Sequence, residues 1–304
     1  MPKNDLLWKS ILEQVFEDFI LFFYPASKEI FDFEQGVTFL DKELQQLFPP
    51  EKDQANASFV DKLVQVPMLA GDNQWVLVHI EIQGTPEKLF ERRMFRYYSR
   101  IFDKYDKQIT AFAVFTDKDT GFHPTKYANE FLGTSLLYQF NTLKILDQSI
   151  EELKKNSNPF ACVLLAVLAA VKGRDQGTDF TFSFKKELFL EFERRNMANN
   201  KKKAILAFLY YYVNIGSVEL EKRFNDELKI FKDNYNMSLD EAIKELELEK
   251  LRNEERERIR IEEREKTTQE IVKKHLLSQK FSIAEISQIT GTSEGYVLQI
   301  KSEL

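Results

Sequence analysis

Three polar residues stand where the chain is otherwise apolar, and their types suit metal-assisted hydrolysis. Residues 74–83 alternate in character. Val76, Val78, Ile80 and Ile82 fall on one face of an expected strand, and Trp75, Leu77, His79, Glu81 and Gln83 on the other. The strand therefore ends with Glu81 and Gln83 side by side, about 7 Å apart at Cα. A carboxylate ending a buried strand is costly unless it is solvated, paired or bound to a cation. Asp61 interrupts a second apolar run, residues 59–69, and a turn through Gly71-Asp72-Asn73 joins the two runs as an antiparallel hairpin. That hairpin sets Asp61 opposite the end of the second strand, near Glu81 to Gln83. Two neighbouring carboxylates suit a hard cation such as Mg²⁺ or Mn²⁺. Such an ion acidifies water and neutralises a phosphate, and the Gln83 amide is placed to orient either. On spacing alone, the same residues also read as strand-end groups facing water.

The elements that must position them follow from periodicity. Residues 5–24 repeat apolar positions at helical spacing, and Pro25 stops that helix. Residues 87–105 form an amphipathic helix with the stripe Phe90, Met94, Tyr97, Tyr98, Ile101 and Tyr105. A third strand spans 108–116, and a further short strand lies within 136–146. From Glu151 onward the pattern is helical, over 158–171, 184–195 and 201–213. Residues 239–266 are rich in Glu, Lys and Arg and predict a long solvated helix. Its apolar positions lapse between Leu251 and Ile259, so a sustained coiled coil is not expected. The fold class expected is α/β: a mixed sheet flanked by helices over residues 1–150, a helical region over 151–237, and the charged helix with a terminal hairpin over 238–304.

Asp61 followed by Glu81-x-Gln83 after a hydrophobic strand resembles the PD-(D/E)XK nuclease signature. The flanking words Asp61-Lys62-Leu63-Val64, His79-Ile80-Glu81-Ile82-Gln83-Gly84 and Arg92-Arg93-Met94-Phe95-Arg96-Tyr97-Tyr98 narrow the likeness. They look like the Rpn family of recombination-promoting, transposase-like nucleases, over roughly residues 5–150. The resemblance implies a restriction-endonuclease-like core and a Mg²⁺-dependent DNA endonuclease linked to recombination or transposition. It implies Asp61, Glu81 and Gln83 as catalytic residues, with Asp61 and Glu81 holding the metal. The wider superfamily ends its motif in Lys, and here Gln83 stands instead, with no charge and no capacity to act as a base. The resembled family itself carries this Gln. The alternative is a catalytically inactive, DNA-associated or self-assembling protein that keeps the fold.

Asp41 and Glu43, ahead of the strands, are candidates for a third acidic ligand. Arg92, Arg93, Arg96 and Arg100, with Lys88, Lys104 and Lys107, make a basic patch for DNA phosphates, though by default such a face is solvated. The net charge is -6, and it lies within residues 1–150, which weighs against tight DNA binding by this region alone. One cysteine, Cys162, excludes an internal disulfide, and three dispersed histidines give no basis for a zinc site. Neither apolar stretch, 15–24 or 160–171, is long and clean enough to span a bilayer, so a cytoplasmic protein without membrane association is expected. At the end of the chain, Ser282 and Glu285 form a capping-box pattern, and Gly291 separates two short apolar-striped helices. This resembles a helix-turn-helix. Its second helix has Lys301 as its one basic residue, so a docking or homo-oligomerising hairpin is expected rather than a DNA reader.

Overall fold

The alternating runs form paired strands because each buries an apolar row on one side of a shared sheet. The computed structural model describes residues 3–47, 59–69, 75–235, 266–278 and 280–302, in two units divided between Ala242 and Ile243. The first unit opens with helices α1 (Lys3–Gln14) and α2 (Phe16–Phe23). A two-residue strand β1 (Thr38–Phe39) and helix α3 (Asp41–Leu47) follow, then strands β2 (Phe59–Pro67) and β3 (Trp75–Gln83). Helix α4 (Phe90–Tyr105) crosses over to β4 (Ile109–Phe115), and β7 (Asn141–Lys144) completes a five-stranded sheet ordered β1-β2-β3-β4-β7. The sheet is mixed: β1, β2 and β3 pair antiparallel, whereas β3, β4 and β7 pair parallel. A parallel β3–β4 pair needs a long return, which α4 provides.

Both faces of the sheet are covered. Val64, Val66, Val78, Ile80 and Ile82 are buried, and on the face of Ile80 the ring of Phe112 meets Phe19 of α2 at 5.2 Å. On the other face, Leu63 and Leu77 pack with Ile101 of α4 and Leu44 of α3. Residues 5–24 are thus helical, as their spacing predicts, but bend at Val15 (φ -125°, ψ 26°). The hydrogen bonds Val15 N to Ile11 O and Phe19 N to Val15 O bridge the bend. The two halves serve different partners: Trp8 meets Phe208 at 5.4 Å, and Phe19 meets Phe160 at 5.0 Å.

The expected single strand within 136–146 is two strands in different sheets. Strands β5 (Lys126–Phe131) and β6 (Thr134–Gln139) make a separate hairpin, and β7 begins two residues after β6 ends. The hairpin lies on α4, with Phe95 stacked on Tyr127 at 5.2 Å and Tyr98 against Tyr138 at 4.9 Å. Its need to cover α4, and the need of β7 to join β4, divide the apolar run at Phe140.

Helices α5 (Ile150–Lys155), α6 (Pro159–Gln176), α7 (Thr178–Arg194), α8 (Asn199–Tyr212) and α9 (Val218–Tyr235) follow within the same unit. The apolar stretch of α6 is a buried core helix, with every residue from Phe160 to Ala169 at 0% exposure. No helix among the described residues is long and apolar enough to cross a membrane. The expected charged helix over 239–266 lies outside the described residues apart from Lys266. In the second unit, residues 266–278 are helical (α10), followed by α11 (Ile283–Thr290) and α12 (Glu294–Ser302). Val272, Ile286, Val297 and Ile300 form its core. The capping box at Ser282 and Glu285 is present, and Gly291 caps α11 at φ 63°, a conformation that suits glycine.

Candidate functional site

The register of the β2–β3 pair sets position 61 directly across from Glu81, because Asp61 and Glu81 are Cα partners. Directly opposed positions of an antiparallel pair share a face. Gln83 follows two residues on along the same face of β3 and ends that strand. This is the face under α4, where His79, Glu81 and Gln83 are all at 0% exposure. Of the Asp61 side chain, only its strand position is described.

Arg93 of α4 closes over this end of the sheet. Its Nη1 donates to Glu81 Oε1 at 3.3 Å and Oε2 at 3.2 Å, and its Nη2 donates to Gln83 Oε1 at 2.8 Å. Its Nε donates to Glu87 Oε2 at 3.0 Å. The guanidinium also lies over the rings of Phe90 and Tyr97, at 5.2 and 5.5 Å. His79 Nε2 sits 3.3 Å from Glu81 Oε1, and its ring meets Tyr97 edge-on at 5.2 Å. Gln83 turns its Nε2 to the Thr85 carbonyl at 2.5 Å. The amide oxygen and nitrogen are thus both engaged, which fixes the side chain against rotation. Tyr138, on the hairpin over α4, has its phenol pushed well above the usual value, first by burial and then by Tyr98 and the negative charge of Glu81.

The four arginines therefore divide. Arg92 and Arg96 are exposed on α4, as a phosphate-facing patch requires. Arg100 is exposed too and donates to the Leu47 carbonyl at 3.1 Å. Arg93 turns inward with 11% of its side chain exposed. Glu87, which accepts from Arg93, Thr85, whose carbonyl accepts from Gln83, and the neighbour His79 belong to the site as well. The sequence held a signal for Arg93: it lies three residues after Phe90 and four before Tyr97, on the apolar stripe itself.

The two candidates for a third ligand do not join this cluster among the described contacts. Asp41 Oδ2 accepts from Lys62 Nζ at 2.7 Å, and Lys62 also binds Glu13 of α1. Lys62 is fully buried over the Phe39 ring. It is one residue on from Asp61, so its side chain leaves β2 on the opposite face. Glu43 is half-buried in the first turn of α3.

The donor chemistry fits a hard cation: a buried carboxylate, a second carboxylate position across the strand pair, and an amide oxygen. A guanidinium already bonded to both oxygens of Glu81 marks an environment arranged around positive charge. Among the described residues no group of three or more His, Cys, Asp or Glu side chains gathers as a metal site would. A search of family models, curated proteins and solved structures found no match to this chain.

Proposed function

We propose that the first unit is a metal-dependent DNA endonuclease with a restriction-endonuclease-like core, as its resemblance to Rpn nucleases implies. The observation that carries this reading is the direct cross-strand pairing of Asp61 with Glu81 beside Gln83. In this reading Asp61 and Glu81 hold Mg²⁺ or Mn²⁺, which when bound supplies charge neutralisation at a phosphate and acidifies water. The chain's own residues do the rest. Gln83, fixed at both ends of its amide, orients a water or a phosphate oxygen. Arg92, Arg96 and Arg100 draw the DNA backbone to the outer face of α4. Burial of Glu81 strengthens each of these electrostatic contacts relative to water.

Nicking of supercoiled plasmid by the purified protein with Mg²⁺ or Mn²⁺ tests the proposal. Asp61→Ala and Glu81→Gln should each lower the rate by about a hundredfold or more, the usual cost of removing one preorganised charge-stabilising group. Gln is chosen at position 81 because it keeps the volume of a fully buried side chain. If both variants nick as well as the parent, the site is misassigned.

A second reading rests on the same cluster. Arg93 already satisfies Glu81, and Gln83 carries no charge, so these described side chains also read as a static structural network. The chain would then be a non-catalytic, DNA-associated or self-assembling protein. No nicking by the folded parent with either cation would favour this reading.

A further inference from the structure

The guanidinium of Arg93 stands where a divalent cation would need to be. Its Nη1 spans both oxygens of Glu81 at 3.2 and 3.3 Å, while Nη2 and Nε are committed to Gln83 and Glu87. Glu81 is fully buried, and a buried carboxylate stripped of positive charge is strongly destabilising. Resting on the cation site read above, we propose that Arg93 is a placeholder: it holds Glu81 in the cation-free state, and a divalent cation must displace it from Glu81 to bind. The displacement is local. Among the described contacts, those on Glu81 come from Nη1, so Glu87 and Gln83 retain the side chain beside the site while the carboxylate changes partner. The competition makes Arg93 a positioning residue that sets how much free cation the site requires.

The sign of one measurement separates this role from a merely structural one. If Arg93 only shaped the site, its removal would weaken cation binding. If it competes, removal of its charge tightens binding. The full-length protein is stripped with chelator and titrated with Mn²⁺, with the free ion read by electron paramagnetic resonance. Arg93→Gln should bind Mn²⁺ about tenfold more tightly or better, the equivalent of one charge-assisted hydrogen bond no longer lost on binding. Its melting temperature should fall below the parent's without Mn²⁺ and recover when Mn²⁺ is added. Unchanged or weaker binding, in a sample with the parent's circular dichroism spectrum, overturns the proposal. Should Arg93→Gln fail to fold, Arg93→Met decides. Methionine keeps a long unbranched side chain without the charge, so tighter binding than the parent supports the placeholder and equal or weaker binding overturns it. If the parent and both variants bind no Mn²⁺, the cation site falls and the nuclease reading with it. If all three bind equally, only the placeholder role falls.

Discussion

Cys162 shows how burial can outweigh a neighbouring charge in setting the chemistry of a residue. It lies in the buried run of α6 at 0% exposure, and burial pushes its thiol up to about 12, against the lowering influence of Arg195. Arg195 Nη1 reaches its Sγ at 3.1 Å. Only the thiolate is nucleophilic, so iodoacetamide should label the native protein far more slowly than urea-unfolded protein at pH 8; equal rates would show that α6 opens readily. The buried phenols of Tyr138 and Tyr212 are raised too, each chiefly by burial. A group whose folded pKa exceeds its unfolded value favours the fold below the unfolded pKa. That contribution fades as pH rises, here from the ordinary thiol value of 9.0 through about 12. Unfolding free energy from urea melts should therefore fall steadily above pH 9. The same scale marks where the sequence was legible. Glu81 and Gln83 stood out because each breaks an apolar alternation. Arg93 stood on an apolar stripe, yet a long cationic side chain there also reads as one that snorkels to water. Its inward turn depends on a carboxylate and an amide brought to it by the sheet, which no local pattern contains.

Element boundaries followed the sequence where packing and periodicity agreed, and departed where a tertiary partner decided. Helix α4 and strands β3 and β4 lie within two or three residues of their expected limits, because the apolar period of each agrees with the neighbours it packs against. Helix α7 begins at Thr178, six residues ahead of the expected 184, and Gly173 of α6 explains why. A Cβ on Gly173 would stand 2.3 Å from Thr181 Oγ1 and 3.2 Å from Thr181 Cβ. The first turn of α7 is thus pressed onto the bare backbone of α6, and Thr181 is held there by its own hydrogen bond to the Gly177 carbonyl at 2.9 Å. That contact folds residues 178–183 into the helix although they carry a weak helical pattern. Gly173→Ala should destabilise the protein by roughly 1–3 kcal/mol, the usual cost of overpacking, in spite of alanine's better helix propensity. Thr181→Ala added to it should restore part of the loss, because it removes the two nearer atoms, Oγ1 and Cγ2, and leaves Cβ. A urea midpoint for Gly173→Ala at or above the parent's would show that the helices can separate at no cost. Of the β5–β6 hairpin, only part of β6 was legible, within the expected strand over 136–146, for a related reason. Its strands are largely exposed, and what holds them is aromatic contact with α4 rather than an alternating apolar row.

At the scale of the whole chain, the first unit closes its own core. Helices α1 and α2 bind the sheet to α6 and α8, so residues 1–150 and the helical region after them share that core. The second unit has a separate core of Val272, Ile286, Val297 and Ile300. Around that core, Ile271, Leu277, Phe281, Ile289 and Leu298 are between 39% and 70% exposed. Among the described residues, these are the large apolar side chains of the second unit that its own core leaves exposed. With Lys301 as the one basic residue of α12, phosphate contacts give no account of them. If the terminal hairpin self-associates, as its sequence leads one to expect, these are the side chains a second copy would cover. A chain ending at residue 242 should then keep the parent's melting temperature for the first unit and its plasmid nicking per subunit. Its mass by light scattering should drop from a multiple of the subunit mass to one. Substituting Leu277 and Leu298 with Glu in the full chain should give the same change in mass without truncation, since both are exposed and neither belongs to the core. An unchanged multiple in the shortened chain would move the interface to the first unit. A full-length chain that already weighs one subunit would leave the exposed apolar residues without a self-association role.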